Sequence, residues 1–223
     1  MAHSKENVVA VYVAAFICAV LGCASSFLFY QETRIFGRPK NTAPEFADFV
    51  SRNENRFALS AYSKTVALSD CWFGLNPPAS APEIADRKLQ TAQVCREVGR
   101  QVLAQMPTNG LAWVVTSQAS LVRGDLDGFR FDLLQSRRVT PNEGAMARLR
   151  ILLAEGNLGT LDAETKAAHL ADITMLAMSD GGMRWLADWY RANPLYRDRI
   201  VEVIDGLSGE RQQKFLYMLK NPT

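Results

Sequence analysis

The chain has 223 residues, 48% hydrophobic and 22% charged, enough for one membrane segment and one domain with its own core. Its 25 basic and 23 acidic residues nearly cancel, which excludes the composition of a disordered chain and gives no reason to expect nucleic acid as a partner. Only two histidines occur, His3 and His169, which argues against a histidine-based metal site or a Ser-His-Asp arrangement within this chain.

After a short tail (residues 1–7), the run from Val8 to Tyr30 is free of charge. As helix it spans about 34 Å, enough to cross a hydrocarbon core. Tyr30 and Phe36 stand where aromatic rings settle at an interface. A cleaved signal would have a shorter apolar core, and here Phe27 to Tyr30 resume the apolar character after Ala24-Ser25-Ser26. Val20-Leu21-Gly22-Cys23 loosely matches a lipidation signal on Cys23, but the apolar run continues past the cysteine. The reading adopted is an uncleaved anchor over residues 8–30, followed by a polar tether over 31–43 and a helical domain over 44–223.

Orientation is pulled two ways. Lys5 precedes the anchor, whereas Arg34, Arg38 and Lys40 follow it, and that asymmetry points the domain to the cytoplasm. Cys71 and Cys95, the two cysteines outside the anchor, point the other way. An extended loop from Cys71 to Pro82 can run back along a helix begun at Pro82, so a Cys71–Cys95 disulfide is within reach. It would be worth about 3 kcal/mol and implies an oxidising compartment; the alternative is two buried thiols. The disulfide is preferred, which places the domain in the periplasm beneath an inner-membrane anchor.

From residue 44 to 73 the apolar spacing is mostly helical, with a break expected near Asn53-Glu54-Asn55. Residues 74–81 read as a loop around Asn76-Pro77-Pro78, and Pro82 to Gln105 reads as one amphipathic helix. Pro107 to Pro141 reads as a helix hairpin: Trp113 opens the first helix, Gly124-Asp125 makes the turn, and Phe129, Leu133 and Leu134 line the second. Further helices are expected from Gly144 to Gly156, from Thr160 or Asp162 to about Met178, from Met183 to Arg191, from Asn193-Pro194 to Gly206, and from Ser208 to the end. Asp180-Gly181-Gly182 is expected to break the chain between two of them. No stretch alternates with period two, so the fold class is all-α, a stack of helix hairpins behind a transmembrane helix.

Pro107 and Pro141 are 34 residues apart (141 − 107), and the unit between them resembles a tetratricopeptide repeat through Trp113, Gly124, Leu133 and Pro141. Phe129 and Ser136 depart from that pattern, which usually carries small residues at both places. The resemblance implies that Trp113, Gly124, Phe129, Leu133 and Pro141 pack the hairpin, and that flanking helices complete the stack. The wording Trp113 … Gly124-Asp125 … Leu133-Leu134-Gln135-Ser136 … Thr140-Pro141-Asn142-Glu143-Gly144 also resembles small single-span helical proteins of bacterial envelope polysaccharide loci. That resemblance implies an accessory role in assembling or exporting a surface polysaccharide.

No phosphate-cradling glycine loop, CxxC pair or HExxH motif is present. Asp125, Asp127, Asp162 and Glu164 sit where carboxylates favour helix N-termini. The one cluster that stands apart is Trp185, Trp189, Tyr190 and Tyr196 with Arg184, Arg191 and Arg197 nearby. It reads either as the core of a terminal hairpin or as a surface for a protein partner or a sugar ring. The expected function is therefore a membrane-anchored scaffold that binds an envelope protein, without catalysis, cofactor, metal or small-molecule substrate. The alternative is an accessory subunit of an inner-membrane complex, packed laterally through the small residues Ala14, Ala15, Gly22 and Ala24 of its anchor.

Overall fold

A computed structural model describes residues 2–33, 60–76 and 88–222, with side chains described in the first helix from Ala10 onward. Two bounds are corrected: Gln31 to Thr33, expected in the tether, continue the first helix, and Gly74 and Leu75, expected in the loop, end the helix that starts at Ala61. The rest of the tether, the break near Asn53, the prolines of the loop and the helix start at Pro82 lie outside the described residues. All regular structure among those described is helical. The helices are α1 (Ala2–Thr33), α2 (Ala61–Leu75), α3 (Lys88–Gln105), α4 (Gly110–Val122), α5 (Leu126–Val139), α6 (Gly144–Glu155), α7 (Ala163–Ala177), α8 (Asp180–Ala192), α9 (Arg197–Asp205) and α10 (Gly209–Lys220). Short 3-10 turns at Leu158–Thr160 and Pro194–Tyr196 join α6 to α7 and α8 to α9.

Helix α1 is long and apolar enough to cross a membrane over Ala10–Thr33, and none of that span is buried in the protein. Phe16, Leu21, Phe27 and Phe29 all point outward. At its far end Glu32 accepts from the Ser60 backbone N–H (2.8 Å), from Ser60 Oγ (2.7 Å) and from Ser63 Oγ. The chain thus leaves α1 at Thr33 and is back beside it at Ser60, where α2 starts.

Side-chain caps set most helix starts. Ser60, Asn109, Asp125, Asp162 and Ser179 each accept an N–H from the first turn of the helix they precede. Ser179 corrects one expectation: Asp180-Gly181-Gly182 does not break the chain but forms the first turn of α8. The break falls at Met178-Ser179, because Ser179 Oγ accepts from Gly182 N–H (3.1 Å). Glycine is required at 182, since a Cβ there would lie 2.2 Å from the Leu176 carbonyl oxygen as α7 and α8 cross.

The hairpin α4–α5 turns at Gly124, whose φ of +76° suits glycine. Phe129 and Leu133 are buried, and Pro141 is exposed in the turn that follows α5. Trp113 is half-buried; its Nε1 donates to the Pro107 carbonyl (2.9 Å) and its ring meets Phe131 edge-on. Ser117 Oγ donates to the Phe129 carbonyl (2.8 Å) and Ser136 Oγ to that of Gly110 (3.1 Å). The two departures from the repeat pattern, Phe129 and Ser136, are therefore where side chains of this hairpin fasten its two helices. Helix α2 packs on α3 and α4, α4 also on α6, α5 on α7, α7 on α8 and α9, and α10 on α8 and α9.

Cys71 and Cys95 form a disulfide between α2 and α3, with their Cα atoms 5.4 Å apart. It sits in a core of Ala67, Leu68, Val98, Val102 and Val115. A second core, around Phe129, Leu153 and Leu161, lies between α4, α5 and α6. The third, around Ile151, Leu176, Met183, Leu186, Ile200 and Phe215, joins α6 to α10.

Contacts sort the loops into two ends. Lys64 Nζ reaches Gln105 Oε1, Gly110 abuts Thr140, Gly144 abuts Leu176 and Gly182 abuts Leu176, all at the end shared with Glu32. At the other end Arg130 bonds the Thr160 carbonyl, Arg199 bonds Glu155, and Arg191 bonds the carbonyls of Met218 and Leu219.

Candidate functional site: an aromatic column tied to a buried carboxylate

Helix α8 presents different residues to different neighbours. Trp185 and Trp189, four positions apart, lie on one stripe and stack with centroids 5.1 Å apart. The 3-10 turn then brings Tyr196 onto Trp189 at 5.6 Å and nearly parallel. Arg148 of α6 covers Trp185 at 5.7 Å, and Arg199 of α9 covers Tyr196 at 5.7 Å. The result is a column in chain-linked order: Arg148, Trp185, Trp189, Tyr196, Arg199. All three rings are half-buried. Neighbours within the chain cover the ring faces, so it is chiefly ring edges that reach the surface. The Trp189 N–H is buried and meets no acceptor among the described residues.

The cluster expected from sequence is divided by this arrangement. Trp185, Trp189 and Tyr196 come together. Tyr190 faces elsewhere, edge-on to Phe215 of α10 (5.8 Å) and beneath Arg197 (4.9 Å). Arg184 and Arg191 turn to the C-terminus of α10. Arg191 donates to the carbonyls of Met218 (3.0 Å) and Leu219 (3.3 Å) and pairs with Asp188; Arg184 lies 3.5 Å from the Asn221 carbonyl. Cations at those carbonyls satisfy acceptors that a helix end leaves open.

Arg199 also links the column to the interior. Its Nε lies 2.9 Å from both Glu155 oxygens, and its Nη2 adds a further bond to Oε2. His169 Nε2 donates to Glu155 Oε1 at 2.8 Å. Burial alone would raise the Glu155 carboxyl, but the bonds and charges of His169 and Arg199 together hold it below the ordinary glutamate range. His169 is itself buried, and its Nδ1 meets no partner among the described residues. An acid or base enclosed in this way has no route to a substrate, so the pair acts as a joint between α6, α7 and α9.

Two further buried carboxylates make similar joints. Asp172 accepts from Arg150 Nε (2.7 Å) and Nη2 (2.8 Å) and from Arg137. Arg150 is only 2% exposed and also reaches Ser136 Oγ, Thr140 Oγ1 and the Thr140 carbonyl. Asp132, fully buried, is held by Arg100 at 2.8 Å; burial pushes its carboxyl above the ordinary aspartate range against the pull of Arg100. Sequence reasoning passed over these joints. The available signal was a charge on an apolar stripe: Arg150 beside Ala147, Ile151 and Ala154, and Asp172 beside His169, Ile173 and Leu176.

Among the described residues, no group of three or more His, Cys, Asp or Glu is placed to hold a metal ion. Set against protein-family models, curated proteins and solved structures, the chain matches none of them.

Proposed function

We propose that this chain is a membrane-anchored helical scaffold that grips an envelope protein through the exposed edges of the Trp185–Trp189–Tyr196 column. The observation that carries the reading is the column itself: three large rings held by stacking and by two arginines, yet still partly exposed. Aromatic and arginine side chains fixed in advance lose little entropy on binding, which makes them effective anchors for a protein partner. A sugar ring would need an open aromatic face, and here the faces are covered.

The packing of α4 on α6 and of α5 on α7 supports a tetratricopeptide-like stack, in which successive hairpins lie side by side. The Cys71–Cys95 disulfide supports a domain on the oxidising, periplasmic side of an inner membrane. An accessory role in surface polysaccharide assembly or export fits that placement. The second reading, a subunit of an inner-membrane complex packed through α1, is favoured by one observation: the large apolar side chains of α1, Phe16, Leu21, Phe27 and Phe29 among them, are exposed and available to other helices.

Two variants separate the readings. Full-length protein carrying Trp189→Ala and Tyr196→Ala is purified in mild detergent beside the wild type and beside a chain whose α1 is exchanged for an unrelated span. On the scaffold reading the double variant loses the partner that the wild type retains, keeps its helical circular dichroism, and the exchanged chain binds normally. Loss of the partner on the exchange alone would favour the subunit reading.

A further inference from the structure

We infer that the first turn of α2 rests on the lipid headgroups of the membrane that α1 crosses, held there by Glu32. The inference goes beyond the proposed scaffold role, but it rests on α1 spanning a bilayer.

Glu32 is the residue before Thr33, where the apolar span ends. A carboxylate at a lipid boundary is costly unless its oxygens find donors. Here three donors come from one place, the start of α2: the Ser60 N–H, Ser60 Oγ and Ser63 Oγ. The negative charge also complements the positive end of the helix. That contact fixes the first turn of α2 within hydrogen-bond distance of the end of the span, at the depth of the headgroups.

What this turn offers to that surface fits it. Tyr62 is 64% exposed there, and Tyr30 is exposed on the last turns of α1, so an exposed tyrosine lies two residues from each partner of the Glu32–Ser60 contact. A ring with a polar tip is the side chain that settles between hydrocarbon and water. One turn along the same face, Thr65 is exposed, yet its hydroxyl already donates to the Ala61 carbonyl (2.9 Å), so little is lost when this face meets a less polar medium. In sequence, Arg34, Arg38 and Lys40 follow the span, and basic residues at this position draw anionic headgroups. The occupant is therefore an anionic lipid surface.

The test uses the full chain with Cys18→Ser and Cys23→Ser, the Cys71–Cys95 bond intact, in nanodiscs of phosphatidylcholine and phosphatidylglycerol bearing a headgroup nitroxide. A fluorophore is placed through Thr65→Cys or, as the distant reference, through Leu195→Cys. Leu195 is 83% exposed in the turn between α8 and α9, and its carbonyl accepts from Arg199, which meets Glu155 at the opposite end of the helices. Quenching at 65 several-fold stronger than at 195 is expected, falling to the level of 195 when Glu32→Ala or Tyr62→Ser is added. Equal quenching at the two sites overturns the docking; undiminished quenching in the Glu32→Ala chain overturns the role of Glu32. A chain that alkaline carbonate strips from membranes fails the spanning reading instead.

Discussion

The helices nearest the anchor and those nearest the C-terminus are held together by different chemistry. Between α2, α3 and α4 the interior contains a disulfide, aliphatic side chains and hydroxyls such as Ser63, Thr91, Thr116 and Ser120, with the carboxylate of Asp70 buried among them and Asp132 of α5 held by Arg100 at its edge. From α6 onward there is no cross-link among the described residues, and the buried polar groups are the hydroxyl of Thr165 and four ionisable side chains, Arg150, Glu155, His169 and Asp172. A covalent bond restricts the unfolded chain whatever the pH. Buried ion pairs instead fix which helix faces meet, and they fail when either charge is removed. The half with the disulfide should therefore respond more to reductant, and the other more to loss of a buried charge.

The sharpest way to break this contrast is Asp172→Ala. It leaves Arg150 buried without its counter-charge, and a loss of about 3–5 kcal/mol in urea unfolding is expected. Stability within 1 kcal/mol of wild type would mean that the buried pair contributes little. Next comes the double change Cys71→Ala with Cys95→Ala, expected to cost about 3 kcal/mol. Amide exchange should then quicken in α2 to α4 while α8 to α10 stay protected. Equal loosening of both would show that the halves unfold as one unit.

The smallest expected effect is that of Glu155→Gln, about 1–3 kcal/mol at neutral pH. Its value lies in the pH profile. The carboxyl is held below its unfolded-state value, so its pairing stabilises the fold above that value and is lost as pH falls through the folded one. Asp132 has the opposite sign: its raised value means the fold takes up a proton first, and stability falls as pH rises through that window. Acid titrations of wild type and Glu155→Gln should diverge at neutral pH and converge at low pH. Parallel curves would show that Glu155 does not govern the acid limb.

Where local rules decide the structure, they could be read in advance. The long apolar helix α1, the hairpin turn at Gly124, the stop at Gly156 and a cap at Thr160 or Asp162, which the fold resolves to Asp162, follow from apolar runs, glycine conformation and capping. The pairing of Cys71 with Cys95 followed from reach along one helix. The mistaken break at Gly181-Gly182 came from weighing glycine propensity above a serine cap. The joints at Asp172 and Glu155 depend on residues from three helices, and no spacing within one helix reveals which charge meets which. The same holds for the column: Trp185 and Trp189 share a face by their spacing, but only the fold brings Arg148 and Arg199 to its two ends and turns Arg184 and Arg191 away.

The separation of only 24 residues between Cys71 and Cys95 bears on biosynthesis. With the domain on the oxidising side, both thiols emerge soon after the anchor, while most of the chain is still on the ribosome. Cys18 and Cys23, the other two thiols, lie exposed on α1, the helix long and apolar enough to cross a membrane, and with that helix in lipid they are out of reach of soluble oxidases. Location alone leaves one pairing open, so maturation of this protein would call for an oxidant but no isomerase.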